Sequence, residues 1–169
     1  MIKQLVPSDV CLKCQGCCRF KDADSVWSPC LLDEEILDLI DKEGIPAAAL
    51  SINRRLQLVP NSKGEDFLCP FLNIEENKCK IYSTRPLECQ LYPFLITLRD
   101  KKVLLTVDLN CPYVKEKLNT PEFKAYLGYL TDYFNSPTQL ELLKDNPQII
   151  QAYDDVLDVV ELQSPDAPK

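Results

Sequence analysis

Eight of the nine cysteines in this 169-residue chain fall into one pattern: Cys11, Cys14, Cys17 and Cys18 together, then Cys69, Cys79, Cys89 and Cys111 downstream. Only Cys30 stands apart, and the chain has no histidine. Dense sulfur without imidazole points to a metal held by thiolates, either zinc or iron–sulfur. The downstream cysteines are separated by nine, nine and twenty-one residues. They can share a centre with the first four only by converging through the fold.

A disulfide framework is the competing account. Compartment and spacing argue against it. The count is odd, and Met1 to Val10 holds Lys3, Gln4, Ser8 and Asp9, with no apolar core of an export signal. Cys17 and Cys18 are adjacent, and neighbouring cysteines bond to each other only with strain. A cytoplasmic location is the expectation, where the thiols stay reduced and able to ligate.

The length suits one domain able to bury a core without metal. Hydrophobic residues make up 46% of the chain, too many for disorder, and none of them gathers into a membrane span. Net charge is −7, before any thiolate is counted. Clustered Lys and Arg are what phosphate neutralisation needs, and here the densest groups are Arg54-Arg55 and Lys101-Lys102. Nucleic-acid and membrane partners are therefore not expected.

The pattern of elements implies an α+β fold: a single domain with a cysteine-rich loop, a small antiparallel sheet and a C-terminal helical layer. Residues 1–119 form the cysteine-cluster region, 120–163 a helical layer packed on it, and 164–169 a frayed tail. Met1 to Phe20 is loop, and Val26-Trp27 a short strand. Asp33 offers an N-cap to a helix presenting Ile36, Leu39 and Ile40 and stopping near Gly44. Pro46 to Leu50 opens a short Ala-rich helix. Arg55 to Val59, Phe67-Leu68 and Lys78 to Tyr82 carry strand character, with turns at Asn61 to Gly64 and Asn73 to Asn77. Thr84-Arg85-Pro86 starts a helical turn bearing Cys89. Phe94 to Leu98 and Val103 to Leu109 flank a polar tip and predict a hairpin. Thr120-Pro121, Ser136-Pro137 and Asn146-Pro147 each place a capping residue before a first-turn proline. The first of these helices presents Phe123, Leu127, Leu130 and Phe134. The last presents Ile149, Tyr153, Val156 and Val160. Both stripes read first as core, with a protein partner for the helical layer as the sharper alternative.

The run Cys11-x2-Cys14-x2-Cys17 has the spacing by which a ferredoxin-type loop offers three thiolates to one four-iron cluster. Its fourth ligand comes from far away and often precedes proline, as Cys69-Pro70 and Cys111-Pro112 both do. Zinc sites more often pair two Cys-x2-Cys knuckles, and a second knuckle is missing here. Adjacent Cys17-Cys18 suits two neighbouring centres, or one ligand and a reserve thiol. Eight cysteines divide into two sets of four, and the blander option is one site of four with the rest structural. Cys30 belongs with buried structural thiols. Arg85 and Arg19 are the nearest counter-charges, able to donate hydrogen bonds to sulfur, although an exposed salt bridge would also account for Arg19. Tyr82, Tyr92, Phe71 and Phe94 could screen the site, and ordinary core membership explains them equally.

These residues resemble a known family. Cys11-Leu-Lys-Cys14-Gln-Gly-Cys17-Cys18, then Cys69-Pro-Phe-Leu, then Cys79-Lys-Ile-Tyr-Ser-Thr-Arg-Pro-Leu-Glu-Cys89-Gln-Leu-Tyr-Pro-Phe look like the YkgJ-type CxxCxxCC proteins, described as zinc- or iron-chelating. The similarity runs from about Cys11 to Cys111 and extends to the cysteine domain of flagellin lysine N-methylases. It implies metal binding by the eight patterned cysteines. Gln15 stands where many members have glycine, Cys30 lies outside the pattern, and the helical tail is not covered.

Two functions follow as expectations. One is a binding module that holds a metal for structure, storage, transfer or sensing, with a four-iron, four-sulfide cluster ahead of zinc. The other is a cluster-dependent enzyme of redox or alkyl transfer. A conventional methyltransferase is disfavoured, because Gly16, Gly44, Gly64 and Gly128 form no glycine-rich loop. A serine or cysteine triad is impossible without histidine. Simple thiol redox chemistry near Arg19 needs fewer cysteines than this.

Overall fold

The computed structural model describes residues 2–14, 16–46, 49–50 and 53–165. Its architecture is α+β: six α-helices and three small antiparallel sheets among the described residues. By proximity of the backbone the chain divides into two compact units. One is Met1–Ile2 with Pro7–Gln90, the other Lys3–Val6 with Leu91–Lys169.

The first unit begins with a single helical turn, α1 (Ser8–Cys11), inside what the sequence suggests is loop. The β1 strand (Arg19–Phe20) and β2 (Val59–Pro60) flank β3 (Phe67–Leu68) in one sheet. A second sheet is the hairpin of β4 (Leu72–Asn73) and β5 (Lys78–Cys79), closed by the expected turn. The Lys78 strand is shorter than expected and yields to a 3-10 turn at Tyr82–Thr84. Arg55 to Val59 is likewise mostly loop, joined by single bridges from Arg55 to Cys30 and from Leu56 to Leu50. Val26-Trp27 is a turn rather than a strand. There Arg55 Nη1 donates to the carbonyls of Val26 and Ser28, so these carbonyls serve a side chain instead of a ladder.

The α2 helix (Asp33–Glu43) forms as expected and ends on Gly44, whose φ of 64° needs a residue without Cβ strain. Its start is shifted by one residue: Leu32 occupies the N-cap position, and the Glu35 carboxylate accepts the Leu32 N–H at 2.9 Å. Asp33 instead pairs with Arg54. The centre of the expected Pro46 to Leu50 helix lies outside the described residues. The core of this unit gathers Phe20, Leu31, Leu39, Leu56, Leu58, Leu68, Leu72 and Ile81. Each such side chain contributes roughly 1.5–3 kcal/mol by leaving water. Cys69 belongs to the same cluster, and Cys18 and Cys79 pack against it.

In the second unit, β6 (Phe94–Arg99) and β7 (Lys102–Val107) form the expected hairpin. Its two-residue tip, Asp100-Lys101, has φ of 50° and 65°, as a type I′ turn requires. The α5 helix (Pro121–Phe134) is capped by Thr120, whose hydroxyl accepts the Phe123 N–H at 3.2 Å. Of its expected stripe, Phe123, Leu130 and Phe134 are buried and Leu127 only partly so, and Tyr126 is buried beside them. A short helix, α4 (Pro112–Lys117), precedes it with Cys111 at its N-cap position, and α6 (Pro137–Asp145) follows. Ser136 starts α6, but its hydroxyl donates back to the Tyr133 carbonyl and makes no cap bond to the new helix.

The helix expected from Pro147 is absent. Pro147–Ile149 is one 3-10 turn, and Leu157–Glu161 is a strand, β8, antiparallel to β7 with a bulge opposite Leu105/Thr106. Asn146 precedes this turn but makes no side-chain cap bond: its amide nitrogen donates to the Leu142 carbonyl at the end of α6, and its amide oxygen accepts from Gln148 Nε2. Asp155 has φ of 58°, which breaks helical continuation. Downstream, Val159-Val160 are β-branched and satisfy the second edge of β7. Of the expected stripe, Ile149 and Tyr153 are buried, whereas Val156 and Val160 are only partly buried, the latter in β8.

Candidate metal centre

All nine cysteines are thiols. Seven of the eight patterned ones belong to the first unit, and four local structures present them. The N-terminal loop carries Cys11, Cys14, Cys17 and Cys18. Cys69 follows β3 directly and Cys79 ends β5. Cys89 sits in α3 (Leu87–Leu91), the short helix after Pro86. Cys111 belongs to the second unit and is described there, at the start of α4.

The sheet brings the sequence-distant thiols near each other. β1 and β3 pair Arg19 with Leu68, so the residues just beyond each strand face one another. The Cys69 N–H donates to the Cys18 carbonyl at 3.0 Å, and the two side chains hydrogen-bond as well. That thiol–thiol contact leads in pushing the Cys18 pKa well up, followed by burial and the charge of Cys69, while Arg19 opposes the rise. Cys18 also acts on Cys79 and on Cys89. Burial is the first cause of the raised Cys79 thiol, and the Arg85 guanidinium pulls it down. Burial likewise leads in pushing Cys89 well up, ahead of Cys18, Glu88, Cys79 and Glu35.

Cys17 has different neighbours. It is exposed at the rim of the loop, yet enough protein surrounds its sulfur that desolvation leads in raising it to about 12. Cys18, Cys11 and Cys14 add to the rise in that order. Gly16 is exposed beside this group, and a Cβ on it would meet the Cys14 sulfur at 3.6 Å, an ordinary contact. Two neighbourhoods result. Cys17 interacts with Cys11 and Cys14, Cys18 with Cys69, Cys79 and Cys89, and Cys18 links the two groups as the first charged neighbour of Cys17. Among the described residues no three Cys, Asp or Glu side chains are already drawn into metal-holding geometry.

Arg85 stacks on Tyr82, its guanidinium carbon 4.0 Å from the ring centroid. Its Nε is buried with no hydrogen-bond partner among the described residues. An orphaned donor beside Cys79 is costly unless something accepts it, and sulfur bound to metal is such an acceptor. Arg19 is held by Asn77, its Nη1 donating to Oδ1 at 3.0 Å, and not by a carboxylate in that bond. Of the aromatic residues expected to screen the site, Phe71 packs against the cluster that holds Cys69, whereas Tyr82 is partly exposed. Phe94 and Tyr92 belong to the second unit. There Phe94 stacks with Phe123 at 5.7 Å, and the Tyr92 hydroxyl donates to Asp108.

Three residues matter more than their sequence suggests. Glu35, in the first turn of α2, is half-buried and accepts the Leu87 N–H as well as that of Leu32. It thereby ties α2 to the turn that carries Cys89, and desolvation raises its pKa. Glu88, in the Cys79-to-Cys89 segment, accepts the Cys30 N–H at 2.6 Å. Asn77, expected as turn material, donates to two carbonyls of the first cysteine loop. Only the capping-box spacing could have hinted at Glu35; nothing local marked the other two. Cys30 is 1% exposed and sits in the first unit's interior as expected of a structural thiol, its sulfur 3.8 Å from the Asn53 carbonyl.

No helix among the described residues is long and apolar enough to cross a membrane. Comparison with known proteins adds a family. Residues 10–118 match the CxxCxxCC family, described as "Putative zinc- or iron-chelating domain". The uncharacterized protein MJ0661 of Methanocaldococcus jannaschii is 46% identical over 41 residues, which is 24% of this chain and 22% of that relative. The match thus spans less than a quarter of either protein, and no solved structure matches the chain. The family span takes in all eight patterned cysteines and well over half of the sequence, and on that span the chain belongs to the CxxCxxCC family of zinc- or iron-chelating domains.

Proposed function

We propose that this protein is a thiolate metal-binding module of a reducing compartment, the cytoplasm, and that it holds an iron–sulfur cluster in preference to zinc. Cys18, Cys69, Cys79 and Cys89 form one ligand set. Cys11, Cys14 and Cys17 form the core of a second. Cys111 joins on its place in the cysteine pattern and in the family span alone. The observation that carries this reading is the position of Cys18, bonded to Cys69 and within electrostatic reach of Cys79 and Cys89. A donor set of sulfur alone, from a chain with no histidine, suits iron–sulfur or zinc and little else.

The residues fit the group. The raised thiols of Cys17, Cys18, Cys79 and Cys89 suit ligands without their cation: burial leads at Cys17, Cys79 and Cys89 and the hydrogen bond to Cys69 at Cys18, neighbouring thiols add to the rise, and a bound cation would favour the thiolates. Arg85 offers the buried Nε–H to sulfur, and Arg19 offsets charge at Cys18. A bound cluster would supply one-electron chemistry, and bound zinc a structural crosslink.

Anaerobic purification followed by absorption spectroscopy and analysis for iron, sulfide and zinc tests this. A brown protein with stoichiometric iron and acid-labile sulfide is the expected result. A colourless protein with stoichiometric zinc reverses the order of the two species, and one that binds neither under reducing conditions overturns the reading.

A further inference from the structure

We propose that Asn77 is a positioning residue that clamps the first cysteine loop onto the hairpin carrying Cys79. Its side-chain amide nitrogen donates to the carbonyls of Leu12 and Cys14, each at 2.8 Å. Its amide oxygen accepts from Arg19 Nη1 at 3.0 Å. The three partners fix which end of the amide is which, because only the NH2 can meet two carbonyls and only the oxygen can meet a guanidinium. One side chain thus reaches across 58 to 65 positions of sequence to bracket Cys14 on one side and the residue after Cys18 on the other.

The backbone is prepared for this role. Asn77 has φ of 51°, a left-handed conformation that asparagine tolerates better than most residues. It closes the β4–β5 turn, whose other end is shaped by Asn73 Oδ1 accepting the N–H groups of Glu75 and Glu76. Two residues later comes Cys79. The amides of Leu12, Lys13 and Cys14 bond back to Ser8, Val10 and Cys11, but the carbonyls of Leu12 and Cys14 face Asn77, so the clamp holds this local turn against the hairpin and limits the arrangements its thiols can sample. A ligand set pays for each of those arrangements when it closes on a metal.

The inference rests on the metal-binding reading, but its first test does not need metal. The full chain is reduced and held without metal, and alkylation of each cysteine by iodoacetamide is timed by mass spectrometry in wild type, Asn77→Gly and Asn77→Asp. Glycine keeps the positive φ and deletes the clamp. Aspartate keeps the shape and the Arg19 bond but cannot donate to the two carbonyls. Circular dichroism and thermal melting confirm the fold. Both variants are expected to expose Cys11 and Cys14 several-fold faster while Cys69 is unchanged. Zinc and ferrous-ion affinities, measured by competition with a chelator, are expected to fall about 10- to 100-fold, the usual effect of losing a partner outside the ligand shell. Wild-type rates and affinities in a folded variant overturn the clamp. Failure of both variants to fold assigns Asn77 to the fold itself and overturns it as well. Should wild type bind neither metal, the proposed function fails and the alkylation rates alone decide the clamp.

Discussion

The amide of Cys69 donates to the carbonyl oxygen of Cys18 at 3.0 Å, directly beyond the Arg19–Leu68 pair of the β1–β3 ladder. Fifty-one positions of sequence separation are closed here by ladder geometry, not by any property of the two thiols. Cys17 and Cys18 occupy the turn that leads into β1, where Cys18 is held to Cys69 while Cys17 stays exposed with Cys11 and Cys14 among its charged neighbours.

That asymmetry predicts unequal effects of removing each thiol. Cys18→Ser is expected to weaken metal binding more than about a hundredfold, beyond what an outer partner contributes. Cys17→Ser, at the exposed rim, is expected to remove only part of the bound metal. Metal content after anaerobic purification and chelator competition measure both. Equal losses would count against two neighbourhoods.

Much of this arrangement was legible beforehand. The Gly44 stop, the Asp100-Lys101 tip and Thr120-Pro121 are local signals, and the chain obeys them because turns and caps are decided within a few residues. The Pro147 stretch was not legible, since the choice between helix and strand there depends on the vacant edge of β7, supplied from about fifty residues upstream. Asn77 and Glu35 were missed for the same reason: a long-range side-chain bond leaves no trace in the spacing around the residue that makes it. The cysteine pattern, by contrast, announced its chemistry but not its partition.

Cys30 offers a pH test away from the ligand set. Burial, and then Glu88, raise its thiol from 9.0 to about 11, against opposition from Arg55 and Arg54. The unfolded chain therefore loses this proton first as pH rises. Stability contributed by the neutral thiol is complete below pH 9 and is lost as pH climbs from 9 toward 11, at up to about 1.4 kcal/mol per unit. Urea melts of metal-depleted wild type and Cys30→Ala across that window should converge with rising pH. Parallel curves would mean that the buried thiol does not titrate as proposed.

Arg85→Gln removes both the charge that favours the Cys79 thiolate and the stack on Tyr82. A roughly tenfold loss of metal affinity is expected, with about 0.5–1 kcal/mol of stability from the lost cation–π contact. Arg85→Lys keeps the charge but not the planar fork, and should fall between the two. Chelator competition beside thermal melting separates the two effects.

At the hairpin tip, Lys101 adopts a φ of 65°. Lys101→Gly should stabilise the protein by about 0.5–1 kcal/mol, since glycine accepts that conformation without strain and completes a preferred Asp-Gly turn. A higher urea midpoint with an unchanged slope is the expected outcome. A lower midpoint would show that glycine's added freedom in the unfolded chain outweighs the relief of strain.

Inside the same sheet, Thr97 and Thr106 are both fully buried, and their hydroxyls meet at 2.7 Å. The Thr106 hydroxyl also reaches the Leu95 carbonyl at 3.5 Å as a donor. If Thr106 donates there, the proton between the two threonines comes from Thr97. The pair is then directional, and its two single valine variants are not equivalent. Thr97→Val leaves Thr106 still donating to Leu95, so it should cost well under about 1 kcal/mol. Thr106→Val strands the Thr97 hydroxyl in the core and should cost about 1–3 kcal/mol. The double variant removes the stranded group and keeps the shape, so it should be more stable than Thr106→Val alone. Urea unfolding of the four proteins closes the cycle: additive losses would mean that the hydroxyls do not act as a pair, and a costlier Thr97→Val would reverse the direction of the bond.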